Sequence, residues 1–163
     1  VNEAEELKRE VADLTERNSR SEEVIEQLQG GWLLRDLEAP NFDENLRQER
    51  AIMVVGGSFL SMEVHLAWDL REGDEWIDGF FQSGTSRIQM DPNGELFAKA
   101  MIGASTDDEY SLQFEPPGKE RRYQVSFFGK NEVTLSVQDG PKFTFVRMRN
   151  DASKVDFFGR KGR

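Results

Sequence analysis

The sequence predicts an all-β fold, an antiparallel up-and-down β-barrel preceded by an N-terminal coiled-coil helix. Residues 3–29 contain no Pro or Gly and carry apolar residues at alternating spacings of three and four. From residue 30 the hydrophobic period changes to two, which is the period of a strand with one buried face. Turn sequences such as Asp91-Pro92-Asn93-Gly94 then separate short apolar runs. The predicted domains are a helix over 1–29, a barrel over 30–149 and a basic tail over 150–163.

The amino-acid composition limits the classes to which this protein can belong. The chain has 163 residues, of which 37% are hydrophobic and 12 are Phe, enough for one apolar core. Its formal net charge is −10, and an acidic body repels phosphate, so we expect no nucleic-acid partner. The absence of Cys excludes disulfides and thiolate metal sites. No run approaches the roughly 20 apolar residues that span a bilayer, so we predict a soluble protein without a transmembrane segment.

The compartment is left open by the sequence. The chain begins at Val1 rather than Met, so either a processed leader or a trimmed chain is compatible with it. Removal of a leader before Val1 would indicate an extracytoplasmic bacterial protein.

The first element is predicted to pair with a second copy of itself. The heptad a positions are Ala4, Val11, Asn18 and Ile25, and the d positions are Leu7, Leu14, Ser21 and Leu28. β-Branched residues at a with Leu at d favour a parallel two-stranded coil. Asn18 favours the same arrangement, because two buried amides can bond each other only in register. We therefore predict a parallel homodimer through residues 4–28, with Asn18 setting the register.

Flanking charges agree with this pairing in part. Glu3 would face Lys8 of the partner helix, and Arg17 would face Glu22. The alternative is an amphipathic helix that folds onto its own domain, which usually has a wider apolar stripe. Val24 is the one apolar residue at an e or g position, which favours self-association.

The rest of the chain is predicted to form a meander of strands. The candidates are 31–38, 51–57, 59–70, 76–81, 85–90, 95–103, 109–115, 121–128, 132–138 and 143–149. Only 39–49 is a longer connection, in which we expect one helical turn. A sandwich would need several long crossovers, whereas a closed barrel suits neighbouring strands and removes exposed sheet edges.

Two short motifs resemble a known family. Leu28-Gln29-Gly30-Gly31-Trp32 resembles the L-x-G-x-W phrase that opens the first strand of small bacterial lipocalin-like domains. Phe143-Thr144-Phe145-Val146-Arg147-Met148 resembles their closing strand, which carries an arginine. The resemblance covers 28–149 and implies a calycin barrel in which Arg147 stacks on Trp32 at the closed end. The alternative for Trp32 is an ordinary core aromatic residue at a strand start.

The sequence gives little support to an enzyme. His65 is the only histidine, so a multi-histidine metal site is excluded. It lies in a strand-like run, no nucleophile elbow of the G-x-S-x-G type is present, and no phosphate-binding glycine loop opens a helix. We therefore predict no catalytic residue, no metal and no cofactor.

The aromatic residues of the strands suggest a ligand site instead. If they line the barrel loosely, they form an apolar pocket for a small hydrophobic molecule. The candidates are Phe59, Trp68, Trp76, Phe80, Phe97 and Phe114. We therefore expect a non-enzymatic binding protein with its ligand in the barrel mouth. The alternative is a structural or protein-interaction module in which the same residues fill the barrel.

The tail 150–163 is expected to be a frayed terminus. The alternative is that Phe157 and Phe158 dock on the barrel, on the partner chain or on an anionic surface.

Overall fold

The structure is a computed structural model that describes residues 2–39, 46–68, 78–106 and 111–149. Side chains are described for these residues except 46–49, 67, 68 and 78–80. The basic tail predicted over 150–163 lies outside the described residues. No helix among the described residues is long and apolar enough to cross a membrane.

One helix precedes nine strands along the described chain. The helix α1 spans Glu3–Leu28. The strands are β1 Gly30–Glu38, β2 Leu46–Gly56, β3 Phe59–Trp68, β4 Asp78–Met90, β5 Leu96–Thr106, β6 Leu112–Phe114, β7 Glu120–Phe128, β8 Glu132–Ser136 and β9 Lys142–Arg147.

Eight of these strands close into an antiparallel up-and-down barrel. The order around the barrel is β4-β3-β2-β1-β9-β8-β7-β5, and β5 pairs again with β4 to complete the ring. The short strand β6 adds to the upper part of β5 through Ala104–Thr106. The predicted fold class, an all-β barrel preceded by one helix, is confirmed. Because the sheet closes on itself, few strand edges are left unpaired, and no second sheet is needed to cover the apolar face.

Helix α1 projects from the barrel and touches it only near its end. Asn2 caps the start by accepting a hydrogen bond from the Ala4 amide at 3.2 Å. Leu7, Val11 and Leu14 are 57–60% exposed. Leu28 is fully buried in the barrel core, and Val24 and Ile25 pack against that core.

The end of the helix follows the alternative in which the helix folds onto its own domain. Its last turn folds onto its own barrel, so the expectation that Leu28 belongs to an intermolecular seam is wrong. The apolar seam positions Ala4, Leu7, Val11 and Leu14 are exposed to solvent.

Several strand boundaries differ from the prediction, most clearly those of β4 and β2. The predicted strands 76–81 and 85–90 are one strand over its described part, β4, because the small polar run Ser83-Gly84 continues the ladder instead of turning. Gly84 lies opposite Gly103, where a Cβ would come within 3.1 Å of the Ile102 carbonyl oxygen. Strand β2 begins at Leu46, so a helical turn over 46–49 is excluded, and 40–45 lie outside the described residues.

The most deeply buried part of the core lies at the helix end of the barrel. Its fully buried side chains include Leu28, Trp32, Met53, Leu96, Val133, Leu135 and Phe145. They come from the helix end and from β1, β2, β5, β8 and β9, at alternate positions along each strand. This packing closes one end of the barrel and leaves the opposite end for the site described next.

Candidate functional site

The helix end of the barrel is sealed by an indole and a guanidinium. Trp32 and Arg147 are register partners on β1 and β9, and the Arg147 Cζ lies 4.2 Å from the centroid of the Trp32 ring. Trp32 is fully buried, and its Nε1–H donates to the Leu28 carbonyl at 2.8 Å. This is the arrangement that the resemblance to lipocalin-like domains implies. It fixes the first strand to the last one and to the helix.

Arg147 also donates hydrogen bonds to carbonyl oxygens at the end of the helix and in the turn between β7 and β8. Its Nη1 donates to the Gln29 carbonyl at 2.6 Å, its Nη2 to Gln27 at 2.7 Å, and its Nε to Lys130 at 3.0 Å. The last carbonyls of a helix lack partners within the helix and carry partial negative charge, so a cation there is favourable. Gly30 gives the guanidinium room, since it has φ +111° and a Cβ there would lie 3.2 Å from Nη1.

A cavity of about 670 Å³ lies toward the opposite end of the barrel. Its apolar wall comes from Leu60, Met62 and Val64 on β3, Ala98 on β5, and Val137 and Phe143 near the turn between β8 and β9. Gln82, Gly84 and Ser86 of β4 form a polar side. An apolar wall with a few polar groups is the usual character of a small-molecule site.

An ion pair lies at the mouth of this cavity. Glu115, which follows β6, pairs with Arg121 of β7. The Glu115 side chain is 10% exposed and the Arg121 side chain 26% exposed. The Glu115 amide donates to the Gly103 carbonyl at 2.8 Å, which fixes the carboxylate over β5. Lys119 approaches the same carboxylate at 3.5 Å from the solvent side.

Tyr123 is the most deeply buried polar side chain in the cavity wall. It points inward from β7, two residues after Arg121, and only 9% of its surface is exposed. Burial raises the pKa of its phenol, with the charge of Glu115 adding to the effect and Arg121 opposing it. The phenol is therefore neutral at physiological pH and can donate a hydrogen bond.

Three of the predicted ligand residues lie away from this cavity. Phe59 and Phe97 alternate with the buried Leu60 and Leu96, so their rings face outward. The ring of Phe59 lies 5.5 Å from the Arg87 guanidinium, and that of Phe97 lies 4.8 Å from Arg122. Phe114, in the short outer strand β6, is 80% exposed. None of the three lines the cavity.

The other three predicted ligand residues lie outside what the structure describes at side-chain level. Trp68 ends β3 and Phe80 lies in β4, but their side chains are outside the described set. Trp76 lies in the undescribed segment 69–77.

His65 lies on the outer face of β3. It is 3.5 Å from the Glu63 carboxylate, and its ring lies 5.3 Å from that of Phe81. Among the described residues, no group of three or more His, Cys, Asp or Glu side chains could hold a metal ion.

Sequence reasoning missed Glu115, Arg121 and Tyr123. They are dispersed over a turn and a strand and match no motif. One signal was available: Arg121, Tyr123, Val125 and Phe127 alternate with polar residues, which places a charge and a phenol on the apolar face of a strand.

Comparison with protein-family models finds no match to this chain, and comparison with curated protein sequences finds none either.

Proposed function

We propose that this chain is a non-enzymatic, lipocalin-like binding protein that holds a small hydrophobic molecule in the mouth of its barrel. The cavity is the observation that carries the proposal. Its volume of about 670 Å³ falls within the range of roughly 300–1,000 Å³ that is typical of small-molecule sites. Leu60, Met62, Val64 and Phe143 offer an apolar wall, so transfer of an apolar ligand from water would be favourable.

The seal at the helix end supports the lipocalin-like part of the proposal. Trp32 and Arg147 join the first and last strands in the way that the resemblance implies. A barrel closed at one end and hollow toward the other is the architecture in which such domains hold their ligands.

A fluorescence titration tests ligand binding. A neutral apolar dye such as Nile red should bind with one-to-one stoichiometry and raise the melting temperature, because a ligand that binds only the folded state stabilises it. Ser86→Phe, which puts a ring into the cavity, should abolish binding while the far-ultraviolet circular dichroism stays that of a β-barrel.

The same strand offers a matched control. Ser83 lies on the outer face of β4 opposite Glu63, so Ser83→Phe adds the same ring without filling the cavity. Two results would contradict a ligand site in the barrel: the dye still binds to Ser86→Phe, or Ser83→Phe abolishes dye binding as completely as Ser86→Phe does.

The proposal includes a parallel homodimer formed through α1. Leu7, Val11 and Leu14 are more than half exposed on a helix that projects from its barrel. Burying such a seam against a second copy would remove this apolar surface from water, and the charges of Arg17 and Glu22 would complement each other across it. Because Leu28 is used by the barrel, the seam would extend from Ala4 to Ser21 and would be weak.

Sedimentation equilibrium tests the dimer. The unmodified chain should show a concentration-dependent dimer that Leu14→Asp abolishes, since a charge in the seam is desolvated. Ala12→Asp, which changes an exposed position outside the seam, is the control and should leave the association unchanged. A monomer at all concentrations would remove this part of the proposal.

The second candidate is a structural or protein-interaction module without a ligand. Exposed apolar residues on the outer face of the barrel favour it, since Leu33, Ile52 and Val54 are 43–48% exposed on the paired strands β1 and β2. The dye titration separates the two candidates, because a barrel that serves only as a scaffold should bind no dye and gain no stability.

A further inference from the structure

The position of Glu115 limits the charge that a ligand can carry. Both terminal nitrogens of the Arg121 guanidinium face its carboxylate, the second contact being 3.4 Å from Nη1 to Oε2. The carboxylate occupies the space above Gly103, where a Cβ would lie 2.7 Å from Oε2. The Gly103 carbonyl also accepts the Glu115 amide proton, so backbone and side chain are both held in place.

An anionic ligand would have to compete with this carboxylate. If it displaced Glu115 from Arg121, it would leave a largely buried carboxylate with only the longer contact to Lys119, which is unfavourable. The other arginine of the lining, Arg122, pairs with Asp91 at 2.5 Å. Among the described lining residues, neither arginine is therefore without a carboxylate partner, and Glu95 and Glu120 add negative charge.

Tyr123 supplies the polar contact that an uncharged ligand can use. Its side chain is nine-tenths buried and lines the cavity. A phenol hydroxyl in the cavity wall can donate to an acceptor that needs no counter-ion, such as an alcohol, ketone or ester oxygen.

We infer that the cavity selects an uncharged amphiphile, an apolar body with one acceptor oxygen held by Tyr123, and discriminates against the carboxylate of the same chain length through Glu115. This inference rests on the proposed ligand-binding function. It makes Tyr123 an orienting residue and Glu115 a specificity-determining residue.

Displacement of a bound neutral dye tests the selectivity. Decanol, decanoate and decylammonium have the same chain and differ in charge at pH 7. The concentration of decanol that displaces half of the dye should be at least about tenfold lower than the corresponding concentration of either ion. Decylammonium should be weak as well, because the carboxylate inside the mouth is already paired and the cation loses its hydration.

Two substitutions assign the effect to residues. Glu115→Gln keeps the shape of the side chain and releases Arg121, so decanoate should gain about tenfold in apparent affinity while decanol changes little. Glu63→Gln removes the same charge from the outer face of β3, away from the cavity lining, and should leave the ratio unchanged. Tyr123→Phe should weaken decanol binding but not the binding of decane, which has no oxygen.

The outcomes separate this inference from the proposed function. Dye binding with decanoate or decylammonium displacing as well as decanol would overturn the inference and leave the binding function intact. A ratio that Glu115→Gln does not change would overturn the role of Glu115. Failure of the dye and all competitors to bind would overturn the binding function and, with it, the inference.

Discussion

Replacement of Arg147 by Met should cost more stability than the loss of any other exposed or half-exposed charge among the residues whose side chains are described. The guanidinium donates three hydrogen bonds to the carbonyls of Gln27, Gln29 and Lys130, and it covers the Trp32 ring. Methionine keeps much of the aliphatic stem and removes all of these contacts. The end of the helix would lose its bond to the barrel, and three carbonyls would lose a charged donor.

The magnitude follows from the exposure of each contact. A hydrogen bond to a charged group contributes about 1.5–3 kcal/mol, and only the bond to Gln29 is part-buried, so the two exposed bonds are discounted to well under 1 kcal/mol each. The contact with Trp32 adds about 1 kcal/mol. We expect Arg147→Met to lower the free energy of unfolding by about 3 kcal/mol, or the melting temperature by roughly 6–12 °C. Arg147→Lys, which keeps the charge without the planar group, should lose about half as much.

Urea and thermal unfolding, followed by far-ultraviolet circular dichroism, measure this loss. Arg35→Met is the matched control, because Arg35 lies on the outer face of the neighbouring strand, is 59% exposed and pairs with Glu132. An exposed ion pair of this kind contributes at most about 1 kcal/mol. If Arg147→Met costs no more than Arg35→Met, the reasoning about the sealed end is refuted.

Three further predictions concern the helix, a turn and the cavity. Asn18→Leu should raise the stability of the proposed dimer and admit other oligomers, as measured by sedimentation equilibrium. Hydrogen bonds from the Glu95 and Asn93 amides, opposed by partial desolvation and aided by Arg122, hold the pKa of Asp91 below its ordinary value. Asp91 therefore stabilises the fold above about pH 4, and its contribution is lost as pH falls through the lower folded pKa. The urea midpoints of the parent and Asp91→Asn should accordingly differ at pH 7 and converge in acid. In Tyr110→Phe, which leaves one tyrosine, the phenol absorbance of Tyr123 should titrate only above the ordinary pKa of about 10, because burial raises it; ionisation at or below that value would contradict the buried position.

The barrel is predictable from the sequence because its signals are local. Alternation in Val133, Leu135 and Phe145 and the turn at Asp91-Pro92-Asn93-Gly94 each depend on few neighbouring residues. Prediction fails where a tertiary contact overrides the local pattern. Ser83-Gly84 has the composition of a turn, yet it stays in β4 because the chain packs close to Gly103 there.

The cavity is less predictable, because it depends on which face of each strand is inward. Phe59 and Phe97 are apolar enough to be core residues, but their neighbours Leu60 and Leu96 occupy the inward positions. A shift of one residue in the strand register would exchange the inward and outward faces. The partnership of Glu115 with Arg121 depends on a turn that brings them together, and charge alone does not reveal it.

The cavity exists because the inward residues change size along the barrel. At the helix end the inward positions hold large side chains, among them Trp32, Met53 and Phe145, and these pack without exposed surface. Farther along the barrel, β4 and β5 pair Gly84 with Gly103 and Ser86 with Ala100, and the Glu115 carboxylate lies over Gly103. Side chains this small cannot reach the opposite wall of an eight-stranded barrel, so they leave space that larger residues would fill. The alternative of a filled barrel requires bulky residues at these positions. The pairs Gly84/Gly103 and Ser86/Ala100 instead carry small side chains, and the proposed ligand-binding function depends on the space beside them.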